Sequence, residues 1–303
     1  MNVTLLGTSS AEGWPALFCG CGACLRARRL GGKDIRTRSS ALIDGVLKID
    51  LPPDIHAQVI KNDLDLRKLE AILFTHAHDD HCAAAELIYR GHYFTPEPLG
   101  SSLPVYGSSD VIDRVRGALV SDHEELDELR HPVALHVVRE FTAFDTASYA
   151  VTPIRANHDR SQQCFNLIIR DRSGATLLYA TDTGWYDDET WQYLSTCTLD
   201  GVVVEATRGM EHDGYEGHLN IPQVIEFRQK LMRYGSLRPD APVVTTHHSH
   251  MAGLMHEEMQ EIVAPHGIQI GYDGMSFHVT IEGRRSAIDE AALLASTVTP
   301  ARL

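Results

Sequence analysis

The segment Leu73-Phe74-Thr75-His76-Ala77-His78-Asp79-Asp80-His81 constrains this chain more than any other, because a β-rich apolar run leads straight into four side chains able to bind metal. A strand end gives such residues rigid support, and imidazole combined with carboxylate suits zinc, manganese or iron. The alternation of extended backbone turns His76 and His78 toward one ion. A helix beginning near Asp80 and running through Ala83-Ala84-Ala85-Glu86-Leu87 would turn Asp80 and His81 toward a second.

Short apolar runs bounded by turn residues recur at 3–6, 40–43, 46–49, 71–74, 135–138, 149–154, 165–169, 176–180, 201–204, 243–246 and 268–272. Helical patterning falls between them. It is clearest after Asn220, a candidate N-cap, with Val224, Phe227 and Leu231 on one face and Gly235 just past the end. Ser121 and Glu124 have capping-box spacing, and the acidic stretch from Asp122 to Arg130 reads as a solvated helix. Paired strands first, then strands alternating with helices, predict an α/β protein of two mixed sheets packed together with helices outside. No repeat or low-complexity segment interrupts the pattern. After Gly283 there is little pattern; Ala291-Ala292-Leu293-Leu294 would either dock as a short helix or fray.

A length of 303 residues admits one large domain or two smaller ones. The formal net charge of -14, with no long Lys/Arg run, disfavours nucleic acid as a partner. No apolar stretch approaches the roughly 20 residues of a spanning helix. Met1 leads at once into strand-like Val3-Thr4-Leu5-Leu6 and not into a signal segment, so a cytoplasmic protein without membrane attachment is expected. Cys19, Cys21 and Cys24 crowd within six residues, a spacing that reads as metal ligation in a reducing compartment. Tetrahedral zinc needs a fourth ligand, and His250, close after His247, can supply it. Such a zinc would pin the final strand loop to the N-terminal region and steady His247. Cys82, Cys164 and Cys197 stand alone beside apolar residues and read as core thiols. His92, His131, His136, His256, His266 and His278 have no partner at metal spacing and read as ordinary surface or core histidines.

The His76-x-His78-x-Asp80-His81 pattern resembles the signature of the metallo-β-lactamase superfamily. That resemblance implies an αββα sandwich, a single domain over residues 1–283 with insertions near 89–103 and 119–132, and a tail over 284–303. It also implies two divalent catalytic ions sharing a bridging hydroxide as nucleophile. His158, in Ala156-Asn157-His158-Asp159, takes the role of the third histidine for the first ion. Asp182, in Thr181-Asp182-Thr183-Gly184, takes that of the bridging carboxylate, and His247 that of the last histidine. Asp80 counts among the catalytic residues as well as the ligands. Asp50 occupies the place of the buttressing aspartate, and His218, in Gly217-His218-Leu219-Asn220, that of the proton donor.

Within the superfamily, the Cys-x-Cys-x-x-Cys cluster with His250, the opening Leu5-Leu6-Gly7-Thr8-Ser9 and the closing Gly271-Tyr272-Asp273-Gly274-Met275 are similar to the PhnP-type phosphodiesterases of the carbon-phosphorus lyase pathway. The implied activity is hydrolysis of small phosphodiesters, cyclic ones among them, by a dinuclear site of zinc, manganese or iron beside one structural zinc. The cysteine cluster, the region Pro53-Asp54-Ile55-His56-Ala57-Gln58 and the closing motif are also similar to the pyrroloquinoline quinone biosynthesis protein PqqB, which lacks the full histidine–aspartate set. A carbonyl-centred hydrolase of the same fold, such as a thioesterase, lactonase or β-lactamase, is the alternative chemistry. A homodimer is the expected assembly from the usual symmetry of soluble proteins.

Overall fold

The computed structural model describes residues 1–97, 101–120, 132–211 and 214–281. The chain opens with strand β1 (Asn2–Gly7), helix α1 (Gly22–Leu30), strands β2 (Ser40–Ile43) and β3 (Leu47–Ile49), helix α2 (Ile55–Lys61) and strand β4 (Ala71–Leu73). Strand β5 (Leu103–Gly107), helix α3 (Ser109–Leu119) and strand β6 (Val133–Val137) follow. Next come β7 (Phe144–Asp145), β8 (Tyr149–Arg155), β9 (Phe165–Asp171), β10 (Thr176–Ala180), α4 (Asp188–Ser195) and β11 (Gly201–Glu205). Helix α5 (Ile221–Arg233), β12 (Val243–Thr246), α6 (His256–Val263), β13 (Gln269–Ile270) and β14 (Ser276–His278) complete the described chain.

The strands form two mixed sheets, ordered β14-β1-β2-β3-β4-β5-β6 and β13-β12-β11-β10-β9-β8-β7. Each is antiparallel at one end and parallel at the other, the parallel part running from β3 to β6 in the first and from β10 to β13 in the second. Parallel strands connected through helices are covered on both faces. The residues of β10 and β11 are accordingly buried without alternation. Between the sheets, Val3, Ile43, Leu47 and Ile49 meet Val151, Leu167, Tyr179, Val203 and Val244. The outer face of the second sheet packs under α1, α4, α5 and α6 through Trp191, Leu194, Phe227, Leu231 and Met259. The outer face of the first packs under α2 and α3 through Ile55, Ile72, Val111 and Val115. This is the predicted α/β sandwich of four layers.

Helix α5 forms where its cap predicts, with the Asn220 side chain accepting from Gln223 N and Gln223 answering the Asn220 N–H. The helix expected from Asp80 does not form. His81 O instead accepts from Leu51 N, and Ala83 N donates to Leu51 O, so tertiary pairing with the segment after β3 holds the chain in a turn. Only a 3-10 helix, Ala84–Arg90, follows. The sequence reading placed no element at β5, β7, β14, α1, α2, α3, α4 or α6; of these, α3 carries a Ser108 cap and α1 takes its N-cap from Cys21 of the cysteine cluster. The acidic helix expected at 122–130 and the short helix expected at 291–294 lie outside the described residues. Cys82 and Cys164 are buried as expected, whereas Cys197 is only partly buried, at the end of α4 against the core. Among the described residues, no helix is long and apolar enough to cross a membrane.

Phe227, 1% exposed, is wedged among Trp185, Tyr186 and Trp191. Phe227→Ala should lower the unfolding free energy by about 3–5 kcal/mol through lost burial and the cavity left behind. Urea denaturation followed by tryptophan fluorescence measures that loss.

Candidate metal centre

Every chemistry-bearing segment of the sandwich leaves the C-terminal end of a strand. Residues 75–81 follow β4, His158 follows β8, Asp182 follows β10, Glu205 ends β11 and His247 follows β12. Strand ends on both sheets therefore feed one pocket rim. Asp50 (φ 56°), just past β3, joins Asp182 (φ 48°) and His247 (φ 55°) as non-glycine residues in left-handed backbone at strand exits. Such conformations cost of order 1–3 kcal/mol and persist only where the surroundings over-determine them.

The side chains converge. His76 Nε2 lies 2.9 Å and His158 Nε2 3.2 Å from His78 Nδ1. His81 Nε2 lies 3.1 Å from Asp80 Oδ2 and 3.0 Å from Asp182 Oδ2, while His247 Nε2 is 3.1 Å from Asp182 Oδ1. The trios His76/His78/His158 and Asp80/His81/His247 each bring ligand atoms within 4.8 Å of one another, and Asp182 shares a further trio with His76 and His81. Two neighbouring positions could thus each hold a cation, with the Asp182 carboxylate reaching both groups.

The donor set fits divalent metal on its hydrogen bonding as well. His78 Nε2 donates to Asp159 Oδ2 (3.0 Å) and His158 Nδ1 to Gly217 O (3.2 Å), which leaves His78 Nδ1 and His158 Nε2 as lone-pair nitrogens facing the centre. His81 Nδ1 donates to Asp50 Oδ2 (2.7 Å), and His247 Nδ1 to Thr207 Oγ1 (2.8 Å). The other nitrogens of these two rings, His81 Nε2 and His247 Nε2, are buried without a hydrogen-bond partner. A ring tethered at one nitrogen and bare at the other is the arrangement a metal-binding histidine needs. Burial opposes charge on Asp80, yet the adjoining His81 and His247 hold its carboxyl well below the usual range. Burial likewise opposes charge on Asp182, and His247 and His81 again win.

Two contributors were invisible in the sequence reading. Asp159 was quoted only as the neighbour of His158, although it orients His78 and is itself held by Ser161 and Gln162. Glu205 is fully buried and accepts from His218 Nδ1 at 2.7 Å, Thr183 N at 2.6 Å and Leu219 N at 3.1 Å. Its one available signal was a lone carboxylate closing the apolar run Val202-Val203-Val204. Burial lowers the His218 pKa, but Glu205 more than offsets this and raises it to about 9. The His218 ring lies 4.8 Å from that of His158 and 5.4 Å from that of His247. His218 shares a trio with His158 and Asp182. Cavities of about 540 and 570 Å³ flank this rim and share Asn157 and Trp185 as walls.

A second cluster lies at the start of α1. Cys19, Cys21, Cys24 and His250 bring their ligand atoms within 4.8 Å of one another, with Cys21 Sγ 3.4 Å from His250 Nδ1. The Cys24 N–H and then His250 pull the Cys21 thiol down to about 6, while burial pushes Cys24 up to about 11. On the far side of the His250 ring, Glu12 Oε1 stands 3.5 Å from Nε2 and accepts from Ser249 Oγ.

Residues 42–263 match the family model described as Beta-lactamase superfamily domain, well over half of the chain. The chain belongs to the metallo-β-lactamase superfamily. Among solved structures of this superfamily's fold, a diphosphatase of the PhnP family superimposes with a TM-score of 0.71 at 23% identity, covering 92% of this chain and 98% of that one. Zinc-bound PqqB from Methylobacterium extorquens gives 0.67 at 17% identity over 92% and 100% of the two chains. Human tRNase Z, short form, gives 0.64 at 18% identity over 93% and 100%. An uncharacterized protein of Mycobacterium tuberculosis is 29% identical over 117 residues, 38% of this chain and 42% of that one, so the match spans less than half of this curated relative. The matched residues include the histidine–aspartate cluster, whose donors could hold metal; Cys19, Cys21 and Cys24 lie outside the match.

Asp182→Ala should strip the chain of the metal bound at the histidine–aspartate centre while leaving the thiolate cluster loaded, and Cys21→Ala should do the reverse. Elemental analysis after dialysis reads both, and full metal retention in either variant would contradict the assignment.

Proposed function

We propose that the chain is a dinuclear metal-dependent phosphodiesterase for small phosphodiesters, with His218 as proton donor to the leaving alkoxide. The observation that carries this reading is the Glu205–His218 pair, in which a buried carboxylate accepts from an imidazole at the rim of the cluster and favours its charged form. An alkoxide expelled from phosphorus is a poor leaving group and needs a proton, whereas a thiolate expelled from a thioester does not. The similarity of the fold to a diphosphatase and to a tRNase supports phosphorus over carbon as the centre attacked. The net charge of -14 favours a small substrate over a polynucleotide.

In this reading His76, His78 and His158 hold one divalent ion, Asp80, His81 and His247 hold the other, and Asp182 lies between them. The imidazole and carboxylate donors accept zinc or manganese, and iron as well. Two such ions would supply Lewis acidity and a water that ionises near neutral pH. Cys19, Cys21, Cys24 and His250 hold a structural zinc that ties α1 to the loop after β12.

The chain's own residues do the positioning. Asp159, Asp50 and Thr207 fix the His78, His81 and His247 rings, so that no reorganisation is needed when substrate arrives. Asn157 and Trp185 separate the cavities that would receive the two arms of the diester. As the oxygen of a water that has released one proton to solvent bonds to phosphorus, the opposite P–O bond breaks in line, and His218 transfers its Nε2 proton to the departing oxygen.

His218→Ala should slow alkyl phosphodiesters by about 10²- to 10⁴-fold. The same variant should scarcely affect bis(4-nitrophenyl) phosphate, whose leaving group departs unprotonated; equal losses on both substrates would refute the assignment. Chelation should abolish turnover of both, and one added divalent metal should restore it. A thioester or nitrocefin cleaved faster than any phosphodiester would move the reading to carbonyl chemistry.

A further inference from the structure

Lys48 is the middle residue of β3 and is fully buried. Its strand neighbours Leu47 and Ile49 face the core between the sheets, so Lys48 points to the opposite face, beside its cross-strand partners Leu42 and Ile72. Those partners are aliphatic, and an aliphatic residue is what that position calls for. A lysine there loses its hydration and must be held by something that offsets the cost. Burial lowers its pKa to about 7, with Asp50 opposing.

The Nζ donates to two consecutive backbone carbonyls, Ile49 O at 3.1 Å and Asp50 O at 2.5 Å. Both protonation states of the amine retain the two N–H groups these bonds use. Asp50 is one of the three residues in left-handed backbone at the rim, and its carboxylate accepts from Thr75 N, Thr75 Oγ1 and His81 Nδ1. A continuous set of hydrogen bonds thus runs from Lys48, through the Asp50 backbone and carboxylate, to the His81 ring and its bare Nε2. Among the described residues Lys48 makes no other side-chain hydrogen bond.

We propose that Lys48 is a positioning residue for the His81 side of the metal centre: it clamps the strained backbone of Asp50 and thereby fixes the direction of His81. The inference rests on the two-ion reading above. Removing a partner that orients a metal-binding histidine typically weakens metal binding about 10- to 100-fold. Exchanging a buried cation for an apolar side chain of similar volume, by contrast, is commonly neutral or favourable for folding. Positioning and bulk stability therefore predict changes of opposite sense.

The test is titration of cobalt(II) into the chelator-stripped full-length protein, native and Lys48→Met. The near-ultraviolet thiolate-to-cobalt band reports the cysteine cluster and serves as an internal control, while the weaker visible bands report the histidine–aspartate centre. Lys48→Met should bind cobalt about tenfold more weakly in the visible bands, leave the thiolate band unchanged, and melt no lower than native protein when metal-free. In an Asp50→Asn background the same exchange should have no further effect, because the route through Asp50 is already cut. Native cobalt affinity in Lys48→Met, or a loss that simply adds to that of Asp50→Asn, would overturn the inference. Should the Met variant not fold, Lys48→Gln takes its place, since its shorter side chain reaches at most one of the two carbonyls. A folded Gln variant with a weakened visible titration supports the inference, and one with native affinity overturns it. Native protein that yields only the thiolate band would instead overturn the two-ion reading, and the role of Lys48 with it.

Discussion

Two buried carboxylates, Asp80 and Asp182, share the same small space with five histidine rings, and the architecture is organised around that crowding. Like charges out of water repel, and unpaired imidazole nitrogens are costly to bury. Bound divalent metal would resolve both problems at once. This is why the donors are brought in on strand ends, where backbone hydrogen bonding on both sides resists the collapse that would otherwise relieve the strain.

The same constraint accounts for the left-handed residues Asp50, Asp182 and His247. Each stands just past a strand, where the chain must turn sharply if its side chain is to reach the rim. Hydrogen bonds to neighbouring loops hold Asp50, through Thr75 and His81, and His247, through Thr207, while Asp182 accepts from the adjacent Thr181 Oγ1. Glu205 extends the principle to a residue that lies outside the two trios. It accepts from Thr183 N, from Thr207 N and from the adjacent His218 Nδ1 and Leu219 N, and so fixes the position of His218. The cysteine cluster contributes from the other side, because His250 and His247 belong to one short loop.

Much of this was legible in the chain itself. The strand runs could be read because strands buried on both faces are nearly continuous in apolar residues, and α5 because its cap, its apolar face and Gly235 past its end agree. The helix expected at Asp80 failed for a tertiary reason, since pairing with Leu51 outcompeted local helix formation. Helix α1 was hidden because Cys21 reads first as a ligand and only in the fold as an N-cap. Asp159, Glu205 and Lys48 were missed because single charged residues carry no spacing signature.

Sequence alone determined which donors are available and in what order: His76, His78, Asp80, His81, His158, Asp182 and His247, each near the end of an apolar run, with three cysteines as a separate group. Those are properties of local pattern, since a ligand-rich turn after a strand is written in consecutive residues. Only the tertiary structure decided which nitrogen of each ring is tethered and which is bare, which carboxylate charges His218, and where the buried amine of Lys48 is directed. Those choices depend on segments as far apart as Asp50 and His81, or His78 and Asp159, meeting across packed layers, and such meetings are set by the whole core.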